Sequence, residues 1–141
     1  MKFDRRLTDE IYTSNTVRLG KDVFQAMQET IYHNGGVETI AGYYDAELSI
    51  LSVSDLLLHS LNHSYVSLME QTKGSLKNLF YKKDGTFLDN ARFRQLQGEG
   101  EGRILTADGS PVYVRLYKKD AVDADGTPIW IMSVQMNWAY E

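Results

Sequence analysis

His59 and His63 stand four residues apart, a spacing that puts both rings on one face of a helix, where they could ligate a metal. Asn62-His63-Ser64 reads as a helix break, however, and no carboxylate or thiol completes the set, so solvated histidines are expected. His33 falls at a predicted helix end, where a cation near the terminal carbonyls is mildly favourable. Tyr43, Tyr44, Tyr113 and Tyr117 bring phenols that could form an acid–base pair with Asp45. Such chemistry needs a buried carboxylate or histidine poised as a base, and Asp45 lies in a predicted turn. No Ser/His/Asp order, phosphate-cradling glycine loop or zinc spacing occurs. With no cysteine in 141 residues, disulfides, thiolate metal sites, thiol nucleophiles and cysteinyl adducts are all excluded.

Two further polar residues, Ser133 and Gln135, sit in an apolar stretch from Pro128 to Asn137 that is too β-branched and aromatic for a surface helix. The alternation along this strand puts Trp130, Met132, Val134, Met136 and Trp138 on one face, and Ile129, Ile131, Ser133, Gln135 and Asn137 on the other. Both faces therefore require cover. A polar side chain on an inward face must find a partner or cost roughly 1–3 kcal/mol.

The elements that position these residues are legible in order. A mixed, charged stretch over 1–14 reads as a connector. A helix follows over 15–34, with Val17, Phe24, Met27, Gln28 and Ile31 on one side and His33-Asn34-Gly35-Gly36 as its stop. Strands are predicted over Val37–Tyr44 and Leu48–Val53, around an Asp45-Ala46-Glu47 turn. Ser54 and Ser64 are positioned to cap short helices ending near Leu61 and Thr72. A short element spans Ser75–Tyr81, a further helix runs from Phe87 to Leu96 with Phe93 and Leu96 inward, and Gly98-Glu99-Gly100 closes it. Asp108-Gly109 and Asp125-Gly126 then join three consecutive antiparallel strands, a β-meander.

The length suits one domain, and 43% hydrophobic residues are enough for a core. A net charge of −4 argues against nucleic-acid or anionic-membrane partners. No apolar run has the length of a membrane span, and the polar residues after Met1-Lys2-Phe3-Asp4 do not form a signal-peptide core, so a cytoplasmic chain is expected.

This order of elements resembles the PAS domain, the five-stranded sensory module of bacterial signalling proteins. The resemblance covers 35–138. It is carried by Tyr44-Asp45-Ala46-Glu47-Leu48-Ser49-Ile50, by Leu61-Asn62-His63-Ser64-Tyr65 where the family often has Gly-Tyr-Ser, and by Phe80-Tyr81-Lys82-Lys83-Asp84. Gly102-Arg103-Ile104 through Asp108-Gly109 and the exit Ser133-Val134-Gln135-Met136-Asn137 complete it. The Asp-Ile-Thr signature that commonly follows the last strand is replaced by Met136-Asn137-Trp138. The implied fold class is α+β, a five-stranded antiparallel sheet with short helices on one face and an N-terminal flanking helix.

The resemblance implies a pocket between sheet and short helices, walled by Ile40, Leu51, Leu58, Phe80, Phe93, Ile131, Ser133 and Gln135, for a small ligand whose identity it leaves open. The alternative is that these side chains simply fill the core. Val134-Gln135-Met136 and Asn90-Ala91-Arg92-Phe93 resemble motifs of the flavin-binding light-oxygen-voltage branch. The second lies too close to Gly102 and has alanine in place of the reactive cysteine, so neither flavin nor heme is expected. The opposite face, with Trp130, Met132, Val134 and Met136, is expected to meet the helix bearing Val17, Phe24, Met27 and Ile31, within a homodimer or as an intramolecular lid. An output domain of histidine kinase or diguanylate cyclase type, linked or separate, is implied, and no catalysis. The alternatives are a dimerisation spacer without ligand, and a small pocket enzyme of nuclear-transport-factor-like α+β fold acting as an isomerase or dehydratase.

Overall fold

The computed structural model describes residues 20–35, 37–81 and 89–136; the expected connector, Val17, Phe87 and Trp138 lie outside them. Helix α1 (Gly20–Asn34) is followed by strands β1 (Glu38–Tyr43) and β2 (Ile50–Val53). Short helices α2 (Asp55–Ser60) and α3 (Tyr65–Thr72), a 3₁₀ turn (Leu76–Asn78) and helix α4 (Asn90–Gln95) come next. Strands β3 (Gly98–Leu105), β4 (Pro111–Val122) and β5 (Pro128–Met136) are the last of the described elements. The strands form one antiparallel sheet in the order β2-β1-β5-β4-β3, so the last strand lies at its centre.

The local signals act as their chemistry dictates. Ser54 and Ser64 accept the free amides of Leu57 and Ser67, capping α2 and α3. Both meander turns close on an aspartate: the Asp108 carboxylate accepts the Ser110 amide at 3.0 Å, and Asp123 accepts those of Asp125 and Thr127 at 2.9 Å. Strand β3 begins at Gly98, inside the segment expected to close the preceding helix. Gly98-Glu99-Gly100 is not a closing loop: it pairs with Lys118-Tyr117-Leu116, because a ladder uses backbone groups and needs no side chain.

One face of the sheet, here the inner face, packs on α2, α3, the 3₁₀ turn and α4 around Leu57, Leu61, Leu68, Leu76, Phe80 and Phe93. The outer face is covered by α1, whose Val23, Ala26, Met27, Thr30 and Asn34 are buried at helical spacing. The helix runs antiparallel to β4: Asp22 accepts the Val122 amide at 2.8 Å, Glu29 pairs with Lys119, and Asn34 reaches the Arg115 carbonyl. Among the described residues no helix is long and apolar enough to cross a membrane.

Candidate functional site

Strand β5 separates two environments, and its faces are reversed from the expectation. Trp130, Met132 and Val134, expected outside, are buried in the inner core, with Met136 packed at its edge. Ile131 and Ser133, expected at a pocket wall, lie under α1, as does Leu51. Gln135 is exposed, opposite Arg115. Ile40, Leu58, Phe80 and Phe93 do come together on the inner face. A strand that is apolar on both sides reveals by its period which residues travel together, but not which set faces the short helices. Leu51 follows from a bulge between Ala41 and Gly42 that breaks the β1–β2 register.

The polar residues of β5 anchor the helix. The Ser133 hydroxyl donates to the Thr30 carbonyl at 2.8 Å, near the C-terminal end of α1. The Asn34 amide donates to the carbonyls of Ser133 and Arg115, at 3.1 and 3.3 Å. Gly35, at φ 75°, closes the helix with its amide on the Ile31 carbonyl at 2.9 Å. Ser133 therefore has a protein partner and does not face the inner core. Phe24, Met27 and Ile31 pack against the chain's own sheet, which is the intramolecular half of the expected interface.

The remaining chemistry gathers on the inner face near β4. Val112, Val114, Leu116 and Lys118 point inward in succession, so a lysine occupies the fourth position of an otherwise apolar column. Its ammonium lies 5.0 Å from the centre of the Phe93 ring and 5.1 Å from that of Tyr44, donating to the Leu96 carbonyl at 2.9 Å and to Asp120 at 3.0 Å. The Lys118 side chain is 0% exposed and that of Asp120 40%. The Tyr44 hydroxyl donates to the same Asp120 oxygen, and the Gln97 amide donates to the other at 2.9 Å. The Arg94 guanidinium sits over the Tyr44 ring, 4.4 Å from its centre. Burial, then the hydrogen bond and charge of Asp120, push the Tyr44 phenol far above its ordinary value; burial lowers Lys118 against the pull of Asp120.

Beside this cluster lies an open cleft of about 290 Å³ lined by Tyr43, Tyr44, Asp45, Arg94, Thr127 and Pro128. Asp45 is exposed; although partial burial acts the other way, hydrogen bonds from the Ser49 hydroxyl and amide hold its carboxyl below the usual range. That is unlike the raised value of a buried carboxyl base. His63 follows a left-handed Asn62 beyond the end of α2 and meets Ser67 at 2.7 Å, so it shares no helical face with His59. The described residues contain no cluster of three or more His, Asp or Glu suited to a metal.

No protein-family model matches this sequence, and no curated protein matches it. Solved structures do. The PAS domain of the fruit-fly ELK potassium channel superposes with a TM-score of 0.57 at 12% identity, covering 82% of this chain and 95% of the other. A PAS domain from a two-component sensor histidine kinase gives 0.56 at 16% identity, covering 81% and 97%. The PAS domain of an HTR-like protein from Haloarcula marismortui gives 0.56 at 13% identity, covering 81% and 93%. This chain has the PAS fold.

Within the PAS fold, the cluster at Tyr44, Lys118 and Asp120 was not among the sequence-derived candidates. Its signal was present: the alternation Val112, Val114, Leu116 breaks at Lys118 without leaving the strand. The nuclear-transport-factor-like alternative is set aside by the fold. Asn90, in the segment similar to the flavin motif, donates its amide to the Asp45 and Ala46 carbonyls at 3.1 Å and ties α4 to the β1–β2 turn.

Proposed function

We propose that this chain is a sensory or regulatory PAS domain with no catalysis of its own, passing a change at its inner face through β5 to α1 and on to an output domain. The observation that carries this reading is the double role of β5. Trp130, Met132 and Val134 pack against the short helices, while Ser133, on the same strand, holds the end of α1 through Thr30. A displacement inside therefore reaches the flanking helix through one rigid element. The similarity to a PAS domain from a two-component sensor histidine kinase supports an output of that kind; a diguanylate cyclase is served by the same relay. The stimulus is a small molecule or a second copy of the chain. A homodimer would have to use the outward side of α1, where Tyr32 is 84% exposed, since Met27 and Trp130 are consumed inside.

The test places the chain upstream of a histidine kinase core in place of that kinase's own PAS domain and compares autophosphorylation of the parent fusion with Ser133→Ala and Asn34→Ala. Circular dichroism confirms that each variant is folded. A change of several-fold in kinase output supports the relay, and equal output from all three folded fusions overturns it.

A further inference from the structure

The geometry points to a binding site for a small organic carboxylate with an aromatic or apolar body, in the cleft formed by Tyr43, Tyr44, Arg94 and Pro128. This rests on the sensory reading above and supplies it with a ligand class. Four observations converge. The cleft, of about 290 Å³, has the size of a small-molecule site and two tyrosine rings and a proline among its lining residues. Arg94 stands in its wall; among the described residues its guanidinium lies over the Tyr44 ring and forms no ion pair, and Asp45, the carboxylate in the same lining, is engaged by the Ser49 amide and hydroxyl. A guanidinium so placed keeps its planar fork of donors for a ligand carboxylate.

Behind the wall, the Tyr44 hydroxyl belongs to a continuous chain: Tyr44 to Asp120, Asp120 to Lys118, Lys118 to the Leu96 carbonyl. A polar chain of this kind, at the end of an apolar column, is not needed to fill the core; a fourth apolar residue at 118 would continue Val112, Val114 and Leu116. Finally, Tyr44 belongs to both the cleft and the chain. A carboxylate held by Arg94 competes for the Tyr44 phenol, and any shift of that ring passes through Asp120 to Lys118, between Phe93 and the start of β3.

The experiment is titration calorimetry of the whole chain with benzoate, with its neutral counterpart benzamide, and with inorganic phosphate. Benzoate binding at least tenfold tighter than either of the others is expected. Arg94→Gln, an exposed substitution, is expected to weaken benzoate by tenfold or more without moving the thermal midpoint of the free protein, and Tyr44→Phe to bind benzoate with an altered enthalpy. Equal binding of benzamide would reduce the site to an apolar cleft, tighter binding of phosphate would make it a point-charge site, and no heat with benzoate at millimolar concentration would leave it without a carboxylate function. Each of these overturns the inference. If benzoate fails while Ser133→Ala still alters the kinase fusion, the ligand class falls and the sensory reading stands.

Discussion

The indole of Trp130 occupies the space that any side chain at Gly42 would need. A Cβ built on Gly42 would lie 2.3 Å from the Trp130 ring and 2.1 Å from the Ser49 carbonyl oxygen. The two residues are partners across the β1–β5 ladder, and the indole N–H donates to the Tyr43 carbonyl at 2.9 Å. Trp130 can therefore turn into the inner core, edge-on to Phe93 at 5.6 Å, only because residue 42 is glycine. Gly42→Ala is expected to destabilise the fold by about 3 kcal/mol, since neither a backbone carbonyl nor a packed ring can yield cheaply. Urea unfolding followed by tryptophan fluorescence measures it. A loss below about 1 kcal/mol would mean that the ring has room to move.

The same pair makes Trp130→Glu a diagnostic of which face the indole serves. Placed on an outer dimer face, a glutamate there would leave a folded monomer. Buried at 0% exposure beside Phe93, it strands a carboxylate without a partner and removes the largest side chain of the core. The expected result is loss of the cooperative thermal transition, read by circular dichroism. A folded variant of halved mass by light scattering would return Trp130 to an interface.

Ser133→Ala and Asn34→Ala address the seam between α1 and the sheet. Each removes a side-chain donor that ties α1 to the sheet: the Ser133 hydroxyl on the Thr30 carbonyl in the first case, the Asn34 amide on the carbonyls of Ser133 and Arg115 in the second. A cost of about 0.5–1.5 kcal/mol is expected for each. Because Ser133 and Asn34 close one network, the double variant should cost less than the sum. Hydrogen exchange should quicken in the last turn of α1 before the central strands respond. Uniform loss of protection across the sheet would show that the helix is not a separable unit.

What was legible in the sequence follows from how local each cause is. Ser54, Ser64, Asp108 and Asp123 act on amides within a few residues of themselves, so the capped helices and the meander turns are readable from spacing alone. The side of β5 that faces inward depends on Gly42, nearly ninety residues away, and on the carbonyl of Thr30, and no window along the chain contains both. Gly98 and Gly100 mislead in the opposite sense: their lack of side chains resembles a loop, while their partners Lys118 and Leu116 make a ladder. Lys118 is not legible as a core residue, because a lysine at the end of an alternating run reads as the return to solvent. Phe93 and Leu96, from α4 and its end, and Tyr44, from the end of β1, are brought in from two other segments to enclose it.

Glu38 supplies a pH dependence. It lies on β1, half-buried, with the Ser60 hydroxyl donating to its carboxylate; burial raises its pKa, and Ser60 offsets only part of that rise. A carboxyl whose folded value lies above its unfolded one binds the proton more tightly in the native state. Its favourable contribution is complete below the unfolded value near 4.5 and is lost as pH rises through the folded value. Glu38→Gln keeps an acceptor for Ser60 and removes the charge. It should raise the thermal midpoint at pH 7 by roughly 1–3 °C, with the advantage shrinking toward pH 4. An advantage that grows on acidification would reverse the assignment.

Lys118→Met separates a residue kept for the fold from one kept for a task. Lysine at this position costs desolvation, and its carboxylate partner Asp120 is 40% exposed with Tyr44 and Gln97 as further donors, so removing the ammonium strands no buried charge. Methionine matches the stem and suits the ring contacts of Phe93 and Tyr44. At pH 7 the variant is expected to be at least as stable as the parent in urea. Burial holds the folded pKa of Lys118 below its ordinary 10.5, so over the window beneath that value the unfolded chain binds more protons and the parent gains stability as pH rises. The advantage of the methionine variant should accordingly narrow between pH 7 and about pH 10. A variant several kcal/mol less stable than the parent at pH 7 would instead make Lys118 a structural cation, held for its bonds to Leu96 and Asp120 alone.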